Sequence, residues 1–228
     1  DRRFMQVTPA ILPKSFEEIS DKLDRLSGFA IRIQIDLCDG KMGRELTWLP
    51  EGNEVLPNKD TIEYECDLMV IDWRTYVPRV LSLGMKRLVV HIDDWSEADM
   101  DEFVGMISST HLPIGLAVSN DMALEEFDNK VRYIRERYKN IFIQVMGIEQ
   151  IGEQGQLFDE SCLERIRHSK QTFGDLEVQV DGAMRPETGV KVAGVGAETL
   201  VVGSYLLRHD DIGTAFSELT NIESGICQ

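Results

Sequence analysis

The chain has 228 residues, of which 43% are hydrophobic, and its formal net charge at pH 7 is −16. This length can bury a sizeable core, so we expect one domain spanning residues 1–228. So acidic a surface repels phosphate backbones and anionic headgroups, which argues against nucleic-acid and membrane partners. No stretch approaches the roughly 18 uncharged apolar residues that a membrane-spanning helix needs.

The cysteines and the first residues of the chain bear on its compartment. The four cysteines form no C-x-x-C pair and have no zinc-finger spacing; they are Cys38, Cys66, Cys162 and Cys227. In a chain of this length such a pattern indicates free thiols in a reducing compartment. The opening residues lack the apolar run of a signal peptide. We therefore expect a soluble, cytoplasmic protein.

Apolar runs typical of β-strands recur along the whole chain, and we count eight of them. They are Met5–Leu12, Ala30–Asp36, Glu65–Ile71, Lys86–Ile92, Pro113–Val118, Ile141–Met146, Leu176–Asp181 and Thr199–Gly203. Most connections between them show helical periodicity, as in the apolar face of Leu124, Phe127, Val131 and Ile134. The second connection is the exception, since the prolines and glycine of residues 50–58 break any helix there.

Strands that alternate with helices in one domain predict a (β/α)₈ TIM barrel, with an open doubly wound sheet as the alternative. The faces of the strands favour the barrel. Gln34 and Asp36 share one face of the second strand, and the intervening residues on its other face are apolar. Catalytic groups of such barrels lie at the C-terminal strand ends, where Asp36, Asp67, Asp181 and Ser204 fall. Two carboxylates on separate strands can flank one small substrate, one giving and one taking a proton.

Seven short segments resemble, in order, those of the ribulose-phosphate 3-epimerase family, and the resemblance runs over about residues 8–221. The segments are 8–12 (T-P-A-I-L), 34–40 (Q-I-D-L-C-D-G), 66–70 (C-D-L-M-V), 115–117 (G-L-A), 155–158 (G-Q-L-F), 180–183 (V-D-G-A) and 202–204 (V-G-S). The second is similar to the family's H-I-D-V-M-D-G and the sixth to its V-D-G-G. No single segment is specific for the family, but the occurrence of all seven in the same order, at the ends of the predicted strands, is specific.

The resemblance implies a barrel of the ribulose-phosphate-binding type that inverts C3 of a ketose phosphate such as ribulose 5-phosphate. Asp36 and Asp181 match the two aspartates that remove and return the proton. A divalent metal held by two histidines and these aspartates is implied as well, but Gln34 and Asp67 stand where the histidines would be. Oxygen donors alone favour magnesium or manganese over zinc, or no metal at all. Without a cation, at least one of the three crowded aspartates would keep its proton near neutral pH.

The resemblance also implies a phosphorylated sugar as ligand and identifies its candidate contacts. They are Ala10, Met69, Met146, Gly155, Gln156, Gly182, Ala183, Gly203 and Ser204. Met69 and Met146 would form an apolar floor. The last four would form a phosphate cup of backbone N–H groups. The loop of residues 147–156 departs from the family, because it has an extra residue and lacks N-P-G.

Several interpretations stay open at this stage. A non-catalytic relative that binds a phosphorylated ligand or a partner protein is the main alternative to an epimerase. A related decarboxylase or synthase is disfavoured. Those enzymes have a D-x-K-x-x-D motif at this strand end, and Cys38 lies at the position of its lysine. Cys38 itself fits a packing role, and His91 fits a hydrogen-bonded barrel residue. If Gln34 and Asp67 bind neither metal nor substrate, we expect them to bond to each other. We also expect a homo-oligomer.

Overall fold

A closed barrel of eight parallel strands forms the centre of the protein, in a computed structural model that describes residues 3–26 and 28–225. The barrel strands β1 to β8 are Gln6–Ile11, Arg32–Cys38, Glu63–Met69, Arg87–His91, Ile114–Val118, Ile141–Met146, Val178–Asp181 and Thr199–Val202. Because β1 pairs with both β2 and β8, the sheet has no free edge. The predicted (β/α)₈ barrel is confirmed, and the open sheet is excluded.

Helices surround the barrel in the described part of the chain. Helices α1 to α8 are Glu17–Leu26, Trp73–Ser82, Glu97–Ile107, Leu124–Arg137, Cys162–Thr172, Pro186–Ala193, Ser204–Arg208 and Ile212–Thr220. Residues 39–62, between β2 and β3, contain no helix, as the prolines predicted. None of the described helices is long and apolar enough to cross a membrane. Two short strands outside the barrel, Arg3–Phe4 and Glu223–Ser224, pair in antiparallel orientation.

One strand ends later, and one earlier, than the sequence predicted. The predicted run Ala30–Asp36 is the strand Arg32–Cys38, and the predicted run Glu65–Ile71 is Glu63–Met69. Their parallel register continues past Asp36↔Asp67 to Cys38↔Met69, so interstrand pairing overrides the local pattern. Asp36 therefore lies two residues before its strand ends, and Asp181 is the last residue of its strand.

Alternation along the strands divides the core in two. Ile33, Ile35 and Leu37 are fully buried in the apolar layer between the barrel and the helices. Gln34 and Asp36 point the other way, into the barrel. Three of the predicted free thiols, Cys38, Cys66 and Cys162, are buried and unbonded, and Cys227 lies outside the described residues. The fold thus places polar side chains inside a barrel with apolar walls.

Candidate active site

The two predicted catalytic aspartates meet across the mouth of the barrel. The Nε2 of Gln34 donates to Oδ1 of Asp36 at 2.7 Å and to Oδ2 of Asp181 at 2.9 Å. These carboxylates come from strands β2 and β7, so one amide joins two strands that are not neighbours in the barrel. Both line the cavity at the C-terminal strand ends. The arrangement puts two potential proton-transfer groups beside the same small space.

Asp67 completes a cluster of three carboxylates. One carboxylate oxygen from each of Asp36, Asp67 and Asp181 lies within 4.8 Å of the other two. Asp67 is fully buried, and its oxygens accept from Nε2 of Gln144 at 2.7 Å and contact Nε2 of His91 at 2.8 Å. The hydrogen bond that we expected between Gln34 and Asp67 is not formed. That expectation was wrong, because each side chain has nearer partners on other strands.

Burial sets the proton affinity of the aspartates. Burial, together with the charge of Asp67, raises the pKa of Asp181 to about 8. Burial first, and then the charges of Asp181 and Asp67, raise the pKa of Asp36 well above its usual range. The hydrogen bonds from Gln34 oppose both shifts. Without a cation, the pair therefore keeps protons at neutral pH, which agrees with the direction that the sequence predicted.

His91 is the hydrogen-bonded barrel residue that the sequence predicted, and its partner belongs to the carboxylate cluster. It is a fully buried residue of β4 whose Nε2 contacts Asp67, while its Nδ1 has no partner in the described part of the chain. Burial alone would lower the pKa of His91, but the charge and hydrogen bond of Asp67 raise it above the usual value. The sequence did contain a signal for this inward position, because alternation along β4 places His91 on the same face as Arg87. His91 therefore holds Asp67 in place.

Below the aspartates lies a buried polar network that the sequence analysis missed. Arg87 pairs with Glu65, and its Nη1 donates to Oε2 of Glu177 at 3.0 Å. Gln179 donates from Nε2 to Glu65 at 2.7 Å and to Oε1 of Gln144 at 2.8 Å. Gln144 in turn donates to Asp67. Hydrogen bonds thus run from the bottom of the barrel to the carboxylate cluster and fix its geometry.

All of the predicted substrate contacts line one small cavity, whose volume is about 50 Å³. They are Ala10, Met69, Met146, Gly155, Gln156, Gly182, Ala183, Gly203 and Ser204. Asp36 and Asp181 share that lining, whereas Gln34 and Asp67 lie beneath it. Cys38 does not line it; its sulfur lies 3.9 Å from the sulfur of Met69, in agreement with the expected packing role. The structure therefore brings the predicted substrate contacts together around one cavity.

Two loops bond to each other beside this cavity, and residues 148 and 152–156 of the second loop line it. The backbone N–H of Arg44 donates to the carbonyl of Ile151 at 3.1 Å, and that of Glu45 donates to the carbonyl of Gly152 at 3.0 Å. The side chain of Gln154, in the loop of residues 147–158, points toward the predicted phosphate cup. The Nε2 of Gln154 lies 2.9 Å from the position that a Cβ would have at Gly203. The Gln154 side chain therefore occupies space beside the predicted phosphate cup, which explains the small volume.

The donor set fits a hard divalent cation. Three clustered carboxylates offer the oxygen ligands that magnesium and manganese prefer, and among the described residues this cluster includes no imidazole or thiolate that would select zinc. Gln34 is the exception, because it turns its N–H₂ toward the carboxylates and its buried Oε1 has no partner among the described residues. Rotation of the amide by about 180° would present that oxygen to a cation, since amide orientation follows the surrounding hydrogen bonds. Asp36, Asp67 and Asp181 are thus the residues that would hold a metal.

Comparison with known proteins places this arrangement in a family. The Ribulose-phosphate 3 epimerase family model matches residues 6–207. The cytoplasmic isoform of ribulose-phosphate 3-epimerase from Oryza sativa subsp. japonica is 26% identical over 226 residues, covering 96% of this chain and 95% of that protein. The ribulose-phosphate 3-epimerase of Bacillus subtilis is 24% identical, covering 94% of this chain and 98% of that protein.

Solved structures support the fold alone, because their sequence identity is low. The 3-hexulose-6-phosphate synthase from Salmonella typhimurium has a TM-score of 0.67 at 12% identity, covering 96% of this chain and 98% of that one. The 3-keto-L-gulonate-6-phosphate decarboxylase from Vibrio cholerae has a TM-score of 0.66 at 12% identity, over 96% of each chain. The family match spans most of the sequence and includes both barrel-mouth aspartates, so this chain belongs to the ribulose-phosphate 3-epimerase family.

Proposed function

We propose that this protein epimerises a phosphorylated ketose at C3, with Asp36 and Asp181 as the proton-transfer groups. The observation that carries the proposal is the placement of these two carboxylates on separate, non-adjacent strands of the barrel, joined by the Gln34 amide and lining one cavity. Inversion at a carbon next to a carbonyl needs a base on one face and an acid on the other. Two carboxyl groups beside one small space meet that need.

The reaction follows from these positions. One aspartate, in its carboxylate form, takes the C3 proton, and the electron pair moves into an enediolate whose negative charge lies on the former carbonyl oxygen. The other aspartate, in its acid form, gives its proton to C3 from the opposite face, and the carbonyl re-forms. Gln34 donates to both groups and so orients them for transfer. A divalent cation held by Asp36, Asp67 and Asp181 would supply positive charge that stabilises the enediolate.

The phosphate would lie at the ends of β7 and β8. Gly182 and Ala183 both have positive φ, +106° and +55°, which is uncommon for alanine. Strained backbone of this kind concentrates at ligand-binding sites, and these two residues line the cavity together with Gly203 and Ser204. In so acidic a chain, local backbone donors are the means of holding a phosphate. We expect ligand binding to displace the Gln154 side chain.

The names of the relatives suggest the substrate. The proteins from rice and Bacillus subtilis are named ribulose-phosphate 3-epimerases, so we propose ribulose 5-phosphate or a related ketose phosphate. We also propose that magnesium or manganese, rather than zinc, supports the reaction. The rice relative is named a cytoplasmic isoform; for this chain, the cytoplasmic location and the homo-oligomer stay predictions from the sequence.

The test is direct conversion. We would incubate the protein with ribulose 5-phosphate and magnesium, manganese, zinc or a chelator, and follow the C3 epimer by NMR. The proposal predicts conversion that is strongest with magnesium or manganese and falls at least 100-fold in Asp36→Asn and in Asp181→Asn, in the range of general acid–base contributions. Asp60→Asn, at an exposed position, is the control. Absence of conversion under every metal condition would refute the proposal.

A non-catalytic relative is the second candidate, and two observations favour it. Both expected histidines are replaced, and the cavity of about 50 Å³ is partly filled by Gln154. This candidate predicts that ribulose 5-phosphate binds, for example by calorimetry, but exchanges no C3 hydrogen with solvent. Conversion that depends on both aspartates would exclude it.

A further inference from the structure

A second, larger cavity adjoins the candidate active site. Its volume is about 450 Å³, against about 50 Å³ for the inner cavity. The two cavities share lining residues at the predicted phosphate cup, namely Gly155, Gln156, Ala183, Met184 and Ser204. A ligand whose phosphate lies in the cup would therefore reach this outer cavity with any group attached beyond the phosphate.

The charge of the outer cavity is opposite to that of the chain. Its lining includes Arg185, Arg208 and His209, and no aspartate or glutamate. The chain as a whole has 40 acidic residues against 24 lysines and arginines. Arg185 is paired with Glu187 at 3.3 Å, but Arg208 makes no ion pair with any residue that the structure describes. An arginine without a carboxylate partner, in so acidic a protein, is available for an anionic ligand.

Arg208 lies where the two cavities meet. It is on α7, four residues after Ser204, so both side chains project from the same face of that helix. Its Nη1 and Nη2 lie 3.8 and 3.9 Å from the position that a Cβ would have at Gly155, a residue that lines both cavities. Gly155 has φ of +83°, which favours glycine and keeps this approach open.

We propose that the outer cavity is a subsite for a second anionic group, bound by Arg208. The ligand class is a phosphorylated compound extended beyond its first phosphate, as in a diphosphate. A guanidinium binds phosphoryl oxygens through two parallel hydrogen bonds, which suits Arg208 to this role. The volume of the cavity falls in the range of about 300–1,000 Å³ that holds small organic ligands, so it accommodates more than the second phosphoryl group. The subsite rests on the proposed function, because that function supplies the phosphate cup.

The test compares inorganic phosphate with inorganic pyrophosphate by isothermal calorimetry, with the full chain and a chelator. We expect pyrophosphate to bind the unmodified protein at least about tenfold more tightly, the usual effect of a charged hydrogen-bonded contact. In Arg208→Gln the ratio of the two affinities should fall to about one. Arg167→Gln removes the same charge from an exposed position outside both cavities and should keep the ratio. Circular dichroism checks that each variant is folded.

The outcomes separate the subsite from the proposed function. Equal binding of phosphate and pyrophosphate by the unmodified protein would overturn the subsite alone. So would an affinity ratio that survives in Arg208→Gln, or one that Arg167→Gln lowers as much. If neither anion binds, the phosphate cup and the subsite both fail. Two phosphates bound per chain, with the weaker one lost in Arg208→Gln, would support a subsite that takes a separate anion.

Discussion

The buried carboxylate cluster makes the stability of the metal-free protein depend on pH. The pKa of Asp181 is about 8 in the folded state against an ordinary value of 3.8. Between these values the folded state holds a proton that the unfolded state has lost, so the free energy of unfolding decreases as pH rises. The contribution is fully present below about pH 3.8 and is lost as pH rises through about 8.

The size of this effect follows from the pKa difference. A difference of about four pKa units, at about 1.36 kcal/mol each, sets a ceiling of about 6 kcal/mol. Asp181 is only partly buried at the cavity, so water reduces the effect, and we expect a loss of about 2–3 kcal/mol between pH 5 and pH 8. Asp181→Asn keeps the shape of the side chain and removes its titration, so this variant should lose less stability than the unmodified protein, and the remaining loss comes from Asp36, whose pKa is also raised by burial.

Urea unfolding of the chelator-treated protein at pH 5, 6, 7 and 8 measures this dependence. Asp60→Asn, which removes an exposed carboxyl group, is the matched control and should follow the unmodified protein. Equal pH dependence in Asp181→Asn and in the unmodified protein would refute the electrostatic reasoning. So would a stability that rises between pH 5 and pH 8.

Three further predictions concern the interior of the barrel. Magnesium or manganese should raise the melting temperature of the unmodified protein at pH 8 but not that of Asp67→Asn, and equal shifts in a thermal melt would contradict the metal site. Arg87→Met leaves Glu65 buried and unpaired, so urea titration should show a loss of about 3–5 kcal/mol, whereas Arg74→Met at an exposed ion pair should change little. Gln34→His supplies an imidazole beside the aspartates, so calorimetry should show tighter zinc binding than in the unmodified protein; unchanged zinc affinity would argue against Gln34 as a ligand position.

The barrel and its two mouth aspartates were predictable because their signals are local in the chain. Alternation of Gln34 and Asp36 with apolar neighbours fixed the inward face, and the end of the seventh apolar run placed Asp181. The supporting contacts were not predictable in the same way. Arg87 reaches Glu177, and Gln144 reaches Asp67, across the barrel, and such contacts depend on the register of strands far apart in sequence.

Some errors have the same origin. The pairing of Cys38 with Met69 extends β2 beyond its predicted end and ends β3 two residues before its predicted end, because both strands stop where their ladder stops. The bond that we expected between Gln34 and Asp67 was wrong for a similar reason: β7 supplies Asp181 as a partner of Gln34, and β6 supplies Gln144 as a partner of Asp67. The alternation of polar and apolar residues along a strand predicts which face of the sheet a side chain lies on, but it does not predict the hydrogen-bond partner of that side chain.

The most direct test of the two-aspartate account is hydrogen exchange from each epimer separately. In D₂O, each aspartate should remove the C3 hydrogen from only one of the two epimers, ribulose 5-phosphate or xylulose 5-phosphate. Asp36→Asn and Asp181→Asn should each lose exchange with one epimer and keep it with the other, in opposite senses, while neither converts one epimer into the other. If one variant exchanges both epimers at the rate of the unmodified protein, then that aspartate takes no part in proton transfer and the account fails.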